Sequence, residues 1–333
     1  MILNSSKIIF LIILISSSLI TLSANNWLGM WMGLEINLMS FIPLISKSKN
    51  KSSSQAMMIY FLTQSIGSIT LLFSILIKPM IFINSSLTEE IMTVMMMMGV
   101  MIKTGIAPFH SWLPEMMSNL NWMEAMILMT WQKLAPLFVL SNMNLNNWFI
   151  YLAAVLSTIA GAIGGLNQTS LRKILAYSSI NHLGWMIVFM SMSSAWYKYL
   201  LIYFILITLL CIVLSAMNIY FINQFNSNLN SMMEKYAIII MMMSIGGLPP
   251  FIGFLPKWMV IQNMIASNLY IVIIVMMLMS LITLFYYLRM ISNIILMYST
   301  VNKWINYYPM NKLIMYLIYL FNLSLPIFSV INF

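Results

Sequence analysis

Two eleven-residue stretches lie 142 positions apart and align without a gap: GIAPFHSWLPE at 105–115 and GLPPFIGFLPK at 247–257. Five residues recur in place: Gly105/Gly247, Pro108/Pro250, Phe109/Phe251, Leu113/Leu255 and Pro114/Pro256. Each copy sits inside a long apolar run. A proline within a helix removes a hydrogen bond and clashes with the preceding turn. Two prolines flanking a phenylalanine therefore predict a helix broken into two halves. In hydrocarbon the backbone groups freed at such a break have no water to turn to, so the break must face protein or a wet cavity. Two broken helices in matching places point to a transporter-like site, with the rest of the chain packed around them.

Of the 333 residues, 62% are hydrophobic and 6% charged, which suits a polytopic all-α membrane protein and no soluble domain. A net charge of +9 would suggest nucleic acid for a soluble chain. Here the Lys and Arg fall mostly in short loops and report topology, so no nucleic-acid partner is expected. Aspartate is absent and methionine abundant, at 37 residues. With the many Ile, Asn, Phe, Tyr and Lys, this is the usage of A/T-rich codons with AUA read as methionine. It is a mutational bias that points to a mitochondrial genome and carries no mechanism. The single Cys211 excludes an internal disulfide and any CxxC pair. No glycine-rich phosphate loop, paired metal ligands or Ser/His/Asp set is present. The chain is therefore expected to hold no metal and no cofactor, whether flavin, haem or iron–sulfur cluster.

Window length and hydropathy give eleven transmembrane spans, at about 4–22, 26–45, 56–77, 87–118, 122–141, 147–166, 170–192, 195–222, 235–267, 269–297 and 313–332. The fourth and ninth contain the breaks. Gly161-x-x-x-Gly165 in the sixth permits close helix contact. With the N-terminus inside, that side holds Lys7, Lys47, Lys49, Lys51, Arg172, Lys173, Lys235, Lys303 and Lys312, against Lys78 and Lys198 on the other. The asymmetry sets the N-terminus in the matrix and the C-terminus outside. The broken helices are an odd number of crossings apart and run in opposite directions, the signature of inverted repeats. The expected organisation is one membrane domain over 1–333: five-helix repeats at about 1–142 and 147–297, then a terminal helix at about 313–332.

Five ionisable side chains fall well inside spans: Glu35, Lys103, Lys133, His182 and Lys257. A charge in hydrocarbon costs at least ~2.5 kcal/mol, so such residues persist where they pair or meet water. Glu35 and Lys103 can form a pair in the first repeat, as a tie between helices or as a working element. Lys133 lies three residues before Pro136, with no second internal acid in evidence. Desolvation makes an ammonium readier to release its proton, which a relay needs. Lys257 ends the second break. His182 suits an interhelical hydrogen bond as well as a relay. His110, in the first break, can cap freed carbonyls. Glu115 and Glu124 flank the loop after the fourth span and are expected at the interface. The second repeat offers His182 and Lys257 and no carboxylate.

The segments LNQTSLRKILAYSSINHLGWM (166–186), KTGIAPFHSWLPE (103–115) and GGLPPFIGFLPKW (246–258) closely resemble the subunit-2 family of mitochondrial NADH dehydrogenase, and the resemblance runs over the whole chain. It implies an antiporter-like, proton-translocating subunit in the membrane arm of respiratory complex I, in the mitochondrial inner membrane. Such a chain is a core subunit of an H+-translocating NADH:ubiquinone reductase but carries no redox centre; FMN, iron–sulfur clusters and ubiquinone belong to the complex as a whole. The implied partners are the other membrane-arm subunits and lipids, cardiolipin among them, and the chain is not an independent monomer. The family's bacterial members have fourteen helices, and the eleven here look like the animal form. Carried over by position, Glu35 looks like the family's acid on the second helix and Lys103 like its partner. Lys133 resembles the central lysine and Lys257 the terminal one, while His182 stands where the family keeps a polar axial residue. The implied scheme passes protons from the matrix along Lys103, Lys133, His182 and Lys257, with separation of Glu35 from Lys103 promoting release. One charge moved against 100 mV costs about 2.3 kcal/mol, which an approximately fifty-fold change in proton affinity offsets. A sodium/proton antiporter subunit and a passive scaffold are the rival readings.

Overall fold

The structure is a computed structural model that describes residues 5–46, 51–78, 85–143, 147–193, 195–225, 231–296 and 312–326. Lys47, Lys49 and Lys303, used in the topology reading, lie outside the described residues. Among the described residues the chain is helices and turns, with one isolated bridge between Ser170 and Phe221. Eight helices, counting Trp122–Ser141 as one, are long and apolar enough to cross a membrane. The protein is an all-helical, polytopic membrane protein.

The chain forms two compact units, Met1–Ala153 and Ala154–Phe333. The first contains α1 (Ser5–Ser23), α2 (Trp27–Ile45), α3 (Lys51–Ile77), α4 (Ser85–Thr104), α5 (Trp112–Asn119), α6 (Trp122–Met129) and α7 (Trp131–Ser141). Helix α8 (Asn147–Gly165) leads into the second. There follow α9 (Leu171–Met192), α10 (Trp196–Ala216), α11 (Met232–Gly246), α12 (Phe254–Ala266), α13 (Tyr270–Leu296) and α14 (Lys312–Asn322).

Small residues set the helix spacing, since apolar surface gains little by leaving lipid and close backbone approach must supply the contact. In the first unit Gly67 of α3 and Gly99 of α4 face each other. A Cβ on either would stand 3.0 Å from the other's carbonyl oxygen, and one on Gly67 would also meet the Lys103 stem at 3.0 Å. In the second unit Gly161 of α8 lies against the α9 backbone at Tyr177 and Asn181, and Gly184 of α9 lies against Ser157 and Thr158 of α8. Gly165 instead faces the Tyr286 ring of α13. The GxxxG pair thus serves two different neighbours. Helix α9, bearing His182, is the axis of its unit, with 89% of its apolar window buried against 28% for α13.

The fifth expected span is interrupted at Thr130, where α6 gives way to α7. The Thr130 hydroxyl donates to Met126 O at 2.6 Å, and the Lys133 amide turns back to Thr130 O at 3.2 Å. Side-chain bonding of a threonine to the preceding turn is a known source of helix bending. The eighth span also ends early, at Ala216, after which Asn218 takes a left-handed φ of 53°.

Loops on the same end of each unit come together. In the second unit the α8–α9 turn pairs with the segment after α10, through Leu171 N to Tyr220 O (2.9 Å) and Ile222 N to Thr169 O (3.2 Å). Arg289 of α13, which the basic-residue count left unplaced, donates to Leu166 O and Gln168 O. In the first unit Trp27 at the start of α2, Lys78 after α3 and Asn142 after α7 line one cavity of about 210 Å³.

Gly99→Val is expected to force α3 and α4 apart, because its Cβ alone would lie 3.0 Å from Gly67 O and Leu71 N, both backbone. Overpacking of this kind costs about 1–3 kcal/mol. A lower melting temperature and yield of the assembled protein in detergent should follow, whereas wild-type melting would show that the crossing is loose.

Candidate functional site

The two breaks share a backbone plan. Each first half-helix ends on a glycine in the left-handed region, Gly105 at φ 76° and Gly247 at φ 82°. The amides of Gly105 and Ile106 both bond to Met101 O, and those of Gly247 and Leu248 both bond to Met243 O. This is the glycine-terminated helix end that side chains with a Cβ adopt poorly. Phe109 N then meets Ile106 O and Leu113 N meets His110 O, matched by Phe251 N to Leu248 O and Leu255 N to Ile252 O. The glycines, rather than the prolines, end the helices. Pro108 and Pro250 keep them from resuming, while Pro114 and Pro256 sit in the first turns of α5 and α12, where a missing N–H costs nothing.

Three of the carbonyls at the breaks find side-chain donors inside the protein. At the first break the Trp112 indole donates to Ile102 O (3.1 Å) and the Gln64 amide to Lys103 O (3.1 Å). His110 Nδ1 stands 3.3 Å from Pro108 O, the capping place expected of it. At the second break Lys257 Nζ donates to Gly246 O at 2.7 Å. That carbonyl lies four residues before Pro250, which has no N–H to offer.

In the first unit, Lys103 Nζ lies 3.3 Å from Glu35 Oε1, joining α4 to α2. The Lys103 side chain is buried, whereas Glu35 keeps a quarter of its side chain exposed. Lys133 of α7 is 3% exposed, and it shares with Lys103 a cavity of about 20 Å³ lined also by Asn37, Tyr60, Gln64 and Gln132. Such a space holds about one water. The Tyr60 hydroxyl donates to Gln132 Oε1 at 3.2 Å. Asn37 Oδ1 and Gln132 Nε2 are buried without a protein partner, which makes the cavity polar enough to keep a water.

In the second unit, His182 Nδ1 and the Tyr199 hydroxyl share a hydrogen bond of 2.9 Å, and the Tyr203 ring centroid is 5.0 Å from that of His182. These three line a cavity of about 10 Å³ with Ser244, Gly253 and Pro256, beside the second break. Lys257, 6% exposed, lies just past that break in α12. Gly247 leaves room for it, since a Cβ there would stand 2.8 Å from Lys257 Nζ.

Two expectations need correction. Glu115 is exposed, but Glu124 is only 8% exposed: its carboxylate turns back to accept from Asn121 N at 3.2 Å, capping α6. The second unit does hold a carboxylate within it, Glu234, 1% exposed in the first turn of α11. The Ser231-x-x-Glu234 spacing was a readable helix-start signal, and Ser231 Oγ accepts from Glu234 N at 3.3 Å. Among the described residues no group of three His, Cys, Asp or Glu could hold a metal.

A family model described as NADH:quinone oxidoreductase/Mrp antiporter, TM matches residues 24–283. The chain belongs to this family. A curated relative, NADH-ubiquinone oxidoreductase chain 2 of Locusta migratoria, is 42% identical over 331 residues, 99% of this chain and 94% of the relative. A chain of respiratory complex I from Thermus thermophilus with bound Aureothin superposes with a TM-score of 0.86 at 20% identity, covering 98% of this chain and 79% of that one. A chain of the Mrp complex from Dietzia sp. gives a TM-score of 0.77 at 15% identity, over 86% of this chain and 60% of that one. At those identities the two structures speak for the fold of the antiporter family.

Gly247→Ala is expected to cost about 1–2 kcal/mol through its left-handed backbone and to displace the Lys257 amine. Gly246→Ala, whose Cβ would meet Tyr287 at an ordinary 3.6 Å, should be tolerated. Thermal melting of the assembled protein checks this; equal melting of the two variants would contradict the geometry.

Proposed function

We propose that this chain is a proton-translocating membrane-arm subunit of respiratory complex I in the mitochondrial inner membrane, assembled with the other membrane-arm subunits. The observation that carries the proposal is the Glu35–Lys103 contact at 3.3 Å beside a second buried lysine, Lys133, on one small polar cavity. The subunit name borne by relatives such as that of Locusta migratoria, at 42% identity, supports it. Protons move along Lys103 and Lys133 in the first unit and along His182 and Lys257 in the second. The chain supplies no redox chemistry of its own. FMN, iron–sulfur clusters and ubiquinone act elsewhere in the complex, and electron transfer there is coupled electrostatically to the Glu35–Lys103 pair.

In this reading the two broken rods, α4/α5 and α11/α12, and the last apolar helix α14 join the eight long helices to make eleven crossings. Spans one to five and six to ten are inverted repeats, the N-terminus faces the matrix and the C-terminus the intermembrane space. The matched hydrogen-bond plan of the two breaks supports the repeat.

A second reading, a sodium/proton antiporter subunit, draws on the Mrp likeness in fold. Replacing sodium by potassium in the transport assay separates the two, because only the antiporter reading expects the rate to change.

Removing a positioned acid–base group costs about 10²-fold or more in the step it serves. Lys133→Met and Lys257→Met are therefore expected to slow proton movement at least ~10-fold in the assembled, reconstituted complex. Assembly is scored first on native gels, because Lys257→Met also uncaps Gly246 O. Wild-type proton yield per electron in assembled Lys133→Met complex would sink the proposal.

A further inference from the structure

Where the α8–α9 turn, the segment after α10 and Arg289 meet, the second unit holds a cavity of about 400 Å³. Its walls carry the Arg289 guanidinium, the side chains of Asn167, Asn223 and Asn293, and the exposed Phe221 ring. Arg289 gives Nη1 and Nη2 to Leu166 O and Gln168 O, which fix the guanidinium, while its Nε is buried without a partner. Each Nη keeps one further N–H, so the held guanidinium still offers donors and a positive charge to phosphate or carboxylate oxygens, and the three carboxamides add N–H donors. No acid lines this cavity. The sequence from 154 to 333 contains one acid, Glu234, against eight Lys and Arg. Arg172, its guanidinium 4.8 Å from the Tyr220 ring centroid, and Lys173 follow the same turn.

The surroundings show which anion fits. Arg289 lies above a strip of exposed apolar side chains on α13: Ile274, Leu278, Leu281, Phe285 and Leu288. Their spacing puts them on one helix face. At 1.5 Å per residue the strip is about 21 Å long, more than the ~15 Å of one leaflet of hydrocarbon. A free phosphate would use the cavity alone, whereas an amphiphile would use both. Basic pockets among helices on the positively charged membrane face suit anionic headgroups.

We infer that this cavity binds an anionic phospholipid, its phosphate held by Arg289 and the asparagine amides and an acyl chain lying along α13. The inference rests on the membrane reading and is independent of the proton path. Delipidated, assembled complex is incubated with a photoactivatable phosphatidylglycerol, and the cross-linked peptides are mapped. Cross-links should fall within 166–173 and 281–293, be displaced by excess unlabelled phosphatidylglycerol, and resist equal phosphatidylcholine or millimolar inorganic phosphate. Asn293→Glu, which puts a negative charge in the cavity wall one turn from Arg289, should reduce them at least five-fold, while Asn293→Gln keeps them. Displacement by inorganic phosphate would reduce the cavity to a free-anion site. Equal labelling by phosphatidylcholine, or protection of the cavity by a neighbouring subunit's peptide, would also overturn the inference. So would undiminished labelling of assembled Asn293→Glu complex.

Discussion

A carbonyl stripped of its helical partner inside hydrocarbon must find a donor within the protein, and much of the site follows from how the two breaks meet that demand. At the first, Trp112 and Gln64 supply the donors and Lys103 is left to reach across to Glu35. At the second, Lys257 is itself the donor, bound to Gly246 O. A primary amine retains N–H donors after losing its extra proton, so Lys257 can hold that carbonyl in either protonation state. Structural cap and proton carrier are compatible in one residue.

The two copies share their glycine-ended turns, differ in the cis Ala107–Pro108 peptide of the first, and differ in chemistry. The position matching Lys103 is Ile245, and the one matching Lys257 is Glu115. The first copy therefore carries its lysine ahead of the break, where it meets a neighbouring helix; the second carries it after the break, folded back onto its own. The Lys103–Glu35 separation of 3.3 Å is longer than the 2.7–2.9 Å of a strong charge-assisted bond. Glu35, a quarter exposed, is the yielding member. Whatever covers it in an assembly changes its solvation and so the hold it has on Lys103. In the proposed function, that is the physical handle by which a remote event acts on this unit.

The breaks, the long helices and the placing of Glu35 with Lys103 were legible because each leaves a trace in one dimension: glycine and proline at fixed offsets, apolar runs of bilayer length, a charge where charge is costly. The cause of the breaks was legible only in part. Proline stands out in a sequence, but the helices stop at Gly105 and Gly247, whose left-handed backbone is signalled by the glycine that precedes each proline. The interruption at Thr130 was hidden because threonine is common in membrane helices, and its effect depends on where the hydroxyl points. Glu234 and Glu124 lie near helix starts, where a carboxylate is ordinarily a solvated cap. Their burial comes from packing, as do the roles of Gln64, Trp112 and Tyr199, polar residues that become informative only once a carbonyl or a ring nitrogen is found beside them.

The smallness of the cavity shared by Lys103 and Lys133 bears on how such a site would work. With room for about one water, it is too tight to solvate two ammonium groups, and two like charges in one poorly hydrated space disfavour each other. Glu35 relieves that conflict at Lys103. In the proposed relay, the Glu35 contact favours the charge on Lys103. In that relay, one carboxylate at the edge of the unit thereby biases which of two buried amines is charged, through a single 3.3 Å contact.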